Sequence, residues 1–260
     1  MPRTSAGMKS SPSPRRLNVG PVKATKTSDA LADALRERIL TGDFTEGTAL
    51  PSERDIVGET GLGRGSVREA LRVLEVEGLI RTKSGRYGGA FAARPDESGL
   101  TRFVSLFVRG RRVPIRALLE ARTTIEPSLA FFAAQNRTPD DARALEEACA
   151  ALEAAFDGAA FGRLNLAWHY CVANASHNEL LVAFLTSIAS AIARESNAHA
   201  KVFEGPVFPE VRTAVIRAHR AVTDAVVRGD ADAAKRRMER HLHAYAATVA
   251  EPESGDVDVE

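Results

Sequence analysis

The chain has 260 residues, 44% of them hydrophobic and 27% charged, an ordinary balance for a folded chain long enough to form two domains. Its net charge of +1 is unevenly spread, because residues 1–28 carry six Lys or Arg and no acid while residues 251–260 carry five acids and no base. No apolar run approaches the ~18 residues of a membrane span, and no apolar stretch follows the N-terminal basic residues, so neither membrane insertion nor a signal peptide is expected and the protein should stay in the cytoplasm.

Residues 1–28, rich in Ser, Pro, Thr, Lys and Arg without periodicity, read as a disordered basic arm that can add phosphate contacts. From Asp29, the stripe Leu31, Leu35 and Ile39 with Gly42 as its stop predicts the first helix of a domain spanning 29–93. Ser52 can cap a second helix over about Glu53–Glu59, with Glu53 and Asp55 where the helix dipole favours negative charge. Gly61-Leu62-Gly63 interrupts that helix, and Leu62 can plug the gap before a third helix starts near Arg64. Its apolar positions Val67, Ala70, Leu71 and Leu74 leave Arg64, Arg68 and Arg72 on another face.

Gly78 closes this helix, Leu79–Thr82 has strand character, Ser84–Gly89 is turn chemistry, and Ala90-Phe91-Ala92 returns as the partner strand. The expected unit is a winged helix-turn-helix. Arginines on its recognition helix suit guanine O6 and N7 or the flanking phosphates in the major groove, and the wing suits the backbone or minor groove. A run of charge is often only a solvated face; its place on this helix of this motif favours DNA.

Leu50-Pro51-Ser52-Glu53-Arg54, Arg64-Gly65-Ser66-Val67-Arg68-Glu69-Ala70-Leu71 and Leu74-Glu75-Val76-Glu77-Gly78-Leu79-Ile80 together resemble the signature of the GntR family of bacterial transcription regulators. The resemblance nominates Arg54, Arg64, Ser66, Arg68 and the wing glycine Gly85 as DNA contacts. One departure is Gly63, which stands where the family usually has Ser or Thr and so lacks a hydroxyl to cap the recognition helix or meet a phosphate.

Residues 94–98, Arg-Pro-Asp-Glu-Ser, read as a linker. Beyond it, residues 99–249 show helical periodicity throughout, and 250–260 form an acidic tail. Helices are expected near 98–110, 113–135, 138–156, 160–175, 178–199, 209–228 and 230–249, so the fold class is mainly α, with an antiparallel bundle able to enclose a ligand pocket behind a small β-hairpin. Cys149 and Cys171 lack metal-site spacing and read as small core residues.

Four polar residues of this bundle fall on apolar stripes, where polar groups need partners. Asn165 and His169 lie four apart among Phe161, Leu164, Trp168 and Val172; His219 lies among Val215, Ile216 and Val222; His241 lies between Met238 and Tyr245. Singly, each reads as a hydrogen-bonded core residue; together, three helices can bring three imidazoles and one amide oxygen to a point. His177, His199 and His243 show no such pattern and read as surface or loop residues. Arg122 is inward with Leu118, Ile125 and Leu129, so it needs an anion, and Glu126 four residues on is an internal candidate. Pro127 should kink the same helix.

The segment from Leu118 to Thr248 resembles the FCD effector domain of FadR-type GntR regulators. That resemblance implies a divalent-metal site, with zinc as one candidate, formed by His169, His219 and His241, and an effector carboxylate held by Arg122. Asn165 stands where the family usually has Asp, which removes a negative charge and should lower metal affinity. The resulting expectation is a bacterial, homodimeric repressor of an inverted-repeat operator, released by a small organic acid. The alternatives are a metal-dependent hydrolase fused to a DNA-binding domain, disfavoured because no acid accompanies the ligands as a general base, and an architectural DNA-binding dimer.

Overall fold

The computed structural model describes residues 26–85, 88–195 and 208–250, so the arm and tail expectations lie mostly or wholly outside the described residues. The chain divides into two compact units, Met1–Arg94 and Pro95–Glu260.

In the first unit, α1 (Thr27–Leu40), α2 (Glu53–Thr60) and α3 (Arg64–Val76) precede an antiparallel hairpin of β1 (Ile80–Lys83) and β2 (Gly89–Ala92). The Ser52 side chain accepts a hydrogen bond from the Asp55 amide at 3.2 Å, which fixes the start of α2, and Gly61 ends it in the left-handed region at φ 69°. Leu31, Leu35 and Ile39 from α1, Ile56 from α2, and Val67, Ala70 and Leu74 from α3 form one core with Leu79 and Ile80, against which Leu62 and Leu71 pack. The apolar spacing of α3 thus turns its arginines outward.

One pairing went unforeseen. Ala49 bridges Phe91, with the Leu50 amide donating to the Ala90 carbonyl and the Ala92 amide to the Thr48 carbonyl, both at 2.8 Å. The segment ahead of α2 therefore lies on the free edge of β2 and joins the wing to the body of the unit. At the wing, a Cβ on Gly88 would fall 2.3 Å from the Lys83 carbonyl oxygen, so this turn admits only glycine there.

The second unit is all helical among its described residues: α4 (Glu97–Arg111), α5 (Ile115–Asn136), α6 (Pro139–Ala154), α7 (Gly158–Asn174), α8 (Glu179–Glu195), α9 (Phe208–Arg228) and α10 (Ala231–Ala250). Caps set the boundaries. Asp96 caps α4, Thr138 and Asp141 form a reciprocal capping box on α6 with Pro139 in its first turn, and Asp157 caps α7 through the Ala160 amide. Pro114 occupies the N-cap of α5 and Arg112 turns left-handed at φ 51°, which starts that helix two residues later than periodicity predicts. The part of the expected 178–199 helix beyond Glu195 lies outside the described residues.

The main core gathers Ala130, Ala133 and Ala134 of α5, Leu145 and Cys149 of α6, Trp168 and Val172 of α7, Val222 and Val226 of α9, and Met238 and Leu242 of α10. Three alanines on α5 let neighbouring helices approach closely, while Trp168 fills the centre and donates its indole N–H to the Thr223 hydroxyl at 2.9 Å. The cysteines are free, Cys149 buried and Cys171 partly so. Among the described residues, no helix is long and apolar enough to cross a membrane.

Candidate functional site

The inward stripes of α7, α9 and α10 deliver His169, His219 and His241 to one place beside Trp168. All three are buried, and one ring nitrogen of each lies within 4.8 Å of the others. Ring centroids are 5.3 Å apart for His169 and His219, 5.3 Å for His169 and His241, and 4.6 Å for His219 and His241.

What the rings do with their second nitrogens decides which atoms face the centre. His169 Nδ1 lies 2.5 Å from Glu126 Oε2, so in the neutral ring its proton sits on Nδ1 and Nε2 carries the lone pair. His219 Nδ1 donates to the Val215 carbonyl at 2.7 Å, one turn back on α9, again leaving Nε2 as the acceptor. That Nε2 is buried without a hydrogen-bond partner among the described residues. His241 Nε2 stands 3.5 Å from His169 Nε2. Two nitrogens bound tetrahedrally to one ion at about 2.1 Å stand about 3.4 Å apart, so this pair has the separation that a shared ion imposes.

Burial, with the neighbouring His241 and His169 rings, pushes His219 well below the ordinary histidine value. Burial and the His169 ring likewise lower His241 to about 3. Both are therefore neutral at pH 7, the state that a metal ion requires of an imidazole. The donor set fits a divalent metal: three converging ring nitrogens, two with their partner nitrogens already fixed, and one otherwise orphaned among the described residues.

Glu126 ties this cluster to Arg122. Its Oε1 accepts from Arg122 Nε at 2.5 Å while Oε2 holds His169, and both members of the ion pair are buried on α5. Burial opposes the charge on Glu126, yet the Arg122 guanidinium and then the His169 ring hold its carboxyl well below the usual carboxylate range. Burial works against Arg122 as well, but Glu126 raises it above its ordinary value. The sequence pattern pointed to Glu126 as a partner for Arg122; its bond to His169 spans 43 residues and left no local signal.

Asn165 is buried one turn before His169 on the same face of α7. A groove of about 400 Å³ between α9 and α10, lined by Val211, Val215, Arg217, Arg240, His241 and Tyr245 among others, reaches His241. His177 takes φ 51° after α7 and bonds to Asp141 Oδ2 at 2.8 Å, linking two helix ends, while His243 is exposed and His199 lies outside the described residues.

The first unit carries its candidate contacts on exposed positions. Arg64, Arg68 and Arg72 are exposed along α3, with Arg68 Nε 2.9 Å from Glu53 Oε2. The Arg54 side chain is 89% exposed, Ser66 is half-buried with its hydroxyl 3.4 Å from that of Thr27, and Gly85 is exposed at the wing with φ 113°. Gly63 is the N-cap of α3 and supplies no side-chain bond there.

Comparison with known proteins agrees with both units. Residues 27–87 match the model of the gntR family of bacterial regulatory proteins, and residues 117–244 match the FCD domain. The chain is 30% identical to the putative L-lactate dehydrogenase operon regulatory protein of Escherichia coli K12 over 221 residues, covering 84% of each chain. It is 28% identical to the HTH-type transcriptional repressor NanR of Enterobacter sp. strain 638 over 240 residues, covering 90% of this chain and 89% of that one. The solved structure of Streptococcus agalactiae GntR shares the fold, with a TM-score of 0.64 at 23% identity over 85% of this chain and 99% of that one. These matches are to transcription regulators and not to enzymes. With its helix-turn-helix and its helical domain both matched, the chain belongs to the gntR family of bacterial regulatory proteins and is a DNA-binding transcription regulator with an FCD domain.

Proposed function

We propose that this regulator is a homodimeric repressor whose hold on an inverted-repeat operator is released by a small organic acid bound in the helical unit. The observation that carries the reading is the convergence of His169, His219 and His241, with the buried Nε2 of His219 lacking a hydrogen-bond partner among the described residues. His169, His219 and His241, with the amide oxygen of Asn165, would hold a divalent metal ion such as zinc. When bound, that ion supplies a Lewis-acidic positive charge for a carboxylate. Arg122 adds a fixed cation whose charge reaches His219 and His241. Neutral Asn165 leaves the site one negative charge short of a three-histidine, one-aspartate set, which favours an anionic effector and weakens the hold on the metal.

Binding of the effector must differ in strength between the DNA-bound and released states for release to follow. The direct experiment is fluorescence anisotropy of labelled operator, titrated with organic acids before and after chelation. A metal-dependent loss of operator binding supports the reading, and operator binding indifferent to every acid and to chelation overturns it. In the same protein, His219→Ala should reduce bound metal, read by elemental analysis, to background, while Asn165→Asp should raise metal affinity about tenfold or more, in keeping with the tenfold to hundredfold leverage of groups around a metal site. Equal metal content in wild type and the His219 variant would sink the site.

The second copy has a surface to meet. Phe103, Leu106 and Phe107 on α4 are 66%, 63% and 53% exposed, and Leu180 on α8 is 63% exposed. Phe103, Leu106 and Phe107, spaced i, i+3 and i+4, share one face of α4, where exposed apolar side chains favour self-association, and a two-fold dimer matches a two-fold operator. Phe103→Asp should therefore convert the dimer to a monomer in sedimentation velocity without unfolding it; an unchanged sedimentation coefficient would place the interface elsewhere.

A further inference from the structure

Between α4 and α8, away from the histidine cluster, lies a groove of about 450 Å³. The helices run side by side in the same direction, with Thr101 Oγ1 3.2 Å from Ser187 Oγ, and Val104 and Val108 packed in one cluster with Ile188, Ala191 and Ile192. Along α4 the groove is lined by Thr101, Arg102 and Ser105, and along α8 by Thr186, Ser190 and Arg194. Arg109 lies at the same end as Arg194, and the one acid of the lining, Glu97, sits at the opposite end, about 18 Å from Arg109 along the helix. Hydroxyls, Arg102 and Leu106 line the middle, and Arg109 and Arg194 stand towards one end.

Ser105 gives the groove its direction. The residue is 8% exposed, and its hydroxyl has no hydrogen-bond partner among the described residues. A helical serine ordinarily satisfies itself on the carbonyl one turn back, as Ser187 does on Ala183 at 2.8 Å. A buried hydroxyl left unpaired is costly, and Ser105 shares the groove lining with Arg102 and Arg194, so an acceptor held there would meet its need.

We propose that the α4–α8 groove binds a phosphate-type oxyanion, with Arg102 and Arg194 as counter-charges and the hydroxyls of Ser105 and Ser190 donating to its oxygens, the Thr101 hydroxyl being already spent on Ser187. A tetrahedral anion offers acceptors in several directions and suits donors converging from two helices, whereas a flat carboxylate is satisfied by one arginine fork. Bound there, the anion ties α4, the helix that follows the 94–96 connection, to α8. The site is separate from the metal-and-carboxylate reading and stands or falls without it.

The test is calorimetric titration of the full chain with inorganic phosphate at constant ionic strength, with chelator present so that no metal-bound phosphate contributes. Saturable binding is expected. Arg102→Ala with Arg194→Ala should weaken it about thirtyfold or more, and Ser105→Ala about tenfold. Without phosphate, Ser105→Ala should melt no lower than wild type, because it deletes an unsatisfied hydroxyl; a serine with a purely structural role would lower the midpoint and leave affinity unchanged. Glycerol 3-phosphate forms a second arm: tighter binding than inorganic phosphate through the same residues assigns the groove to an organic phosphate, and equal or weaker binding assigns it to the free ion. Absence of saturable binding, an unchanged affinity in the double arginine variant, or acetate binding as tightly as phosphate would overturn the proposal.

Discussion

Replacing Glu126 with Ala should cost the helical unit about 3–5 kcal/mol, the penalty for removing one partner of a buried ion pair and leaving the other behind. Arg122, 4% exposed, would keep its charge opposite an empty site, and His169 would lose the acceptor that fixes its Nδ1 proton. At roughly 2–4 °C per kcal/mol for a domain of this size, the midpoint in scanning calorimetry of the chelated protein should fall by about 6–20 °C. Replacing both charges, Arg122→Met with Glu126→Leu, should recover most of the loss, since the penalty belongs to the unpaired charge.

Glu126→Gln separates the two functions of this side chain. The amide oxygen can still accept from His169 Nδ1, but no charge remains for Arg122. It should lose stability yet retain more metal affinity than Glu126→Ala, whose affinity should fall about tenfold to hundredfold with the loss of the group that orients a ligand. A Glu126→Ala protein that melts within a degree of wild type would show that the Arg122–Glu126–His169 chain is not a buried unit.

The parts of the structure legible in the sequence are those written locally. The cap at Ser52, the breaker at Gly61 and the four apolar positions of α3 each act within a few residues, and so locate α2 and α3 to within a residue or two. The burial of Asn165, His169, His219 and His241 was readable for the same reason: each sits on a stripe whose other members are apolar. Contacts that close over long spans were not readable. The bond from Glu126 to His169, the edge pairing of Ala49 with Phe91, and the unpartnered hydroxyl of Ser105 depend on which helices and strands become neighbours. Arg122 shows the boundary between the two kinds of inference. Its inward position follows from i, i+4 spacing, but the carboxylate that its own helix supplies already meets the need for an anion that spacing alone left open, so the effector proposed for Arg122 would add to the Glu126 pair and would not fill a vacancy.

Removing both guanidiniums near the start of α3, Arg64→Ala with Arg68→Ala, should weaken operator binding about hundredfold or more, at 1–3 kcal/mol for each arginine that reads a base or grips a phosphate. The loss would be one of recognition and not of folding. Arg64 is exposed, and the Arg68–Glu53 ion pair has side chains 71% and 45% exposed, where such pairs contribute little. Arg72→Ala, two turns beyond Arg64 on the same face, should cost less if the N-terminal end of α3 is the end that enters the groove. Anisotropy titrations at several salt concentrations distinguish the two kinds of contact: a lost phosphate contact lowers the salt slope by about one, and a lost base contact relaxes preference at one operator position. Gly63 supplies the opposite test. It caps α3 at φ −65° and ψ 147°, and a Cβ there would meet nothing within 4 Å, so Gly63→Ser enters without strain and should stabilise the unit by a few tenths of a kcal/mol. If the new hydroxyl also reaches a phosphate, operator affinity should rise several-fold with a steeper salt slope; a stability gain with unchanged affinity would confine its effect to the cap. Operator affinity in the Arg64, Arg68 double variant equal to that of wild type would remove α3 from the interface altogether.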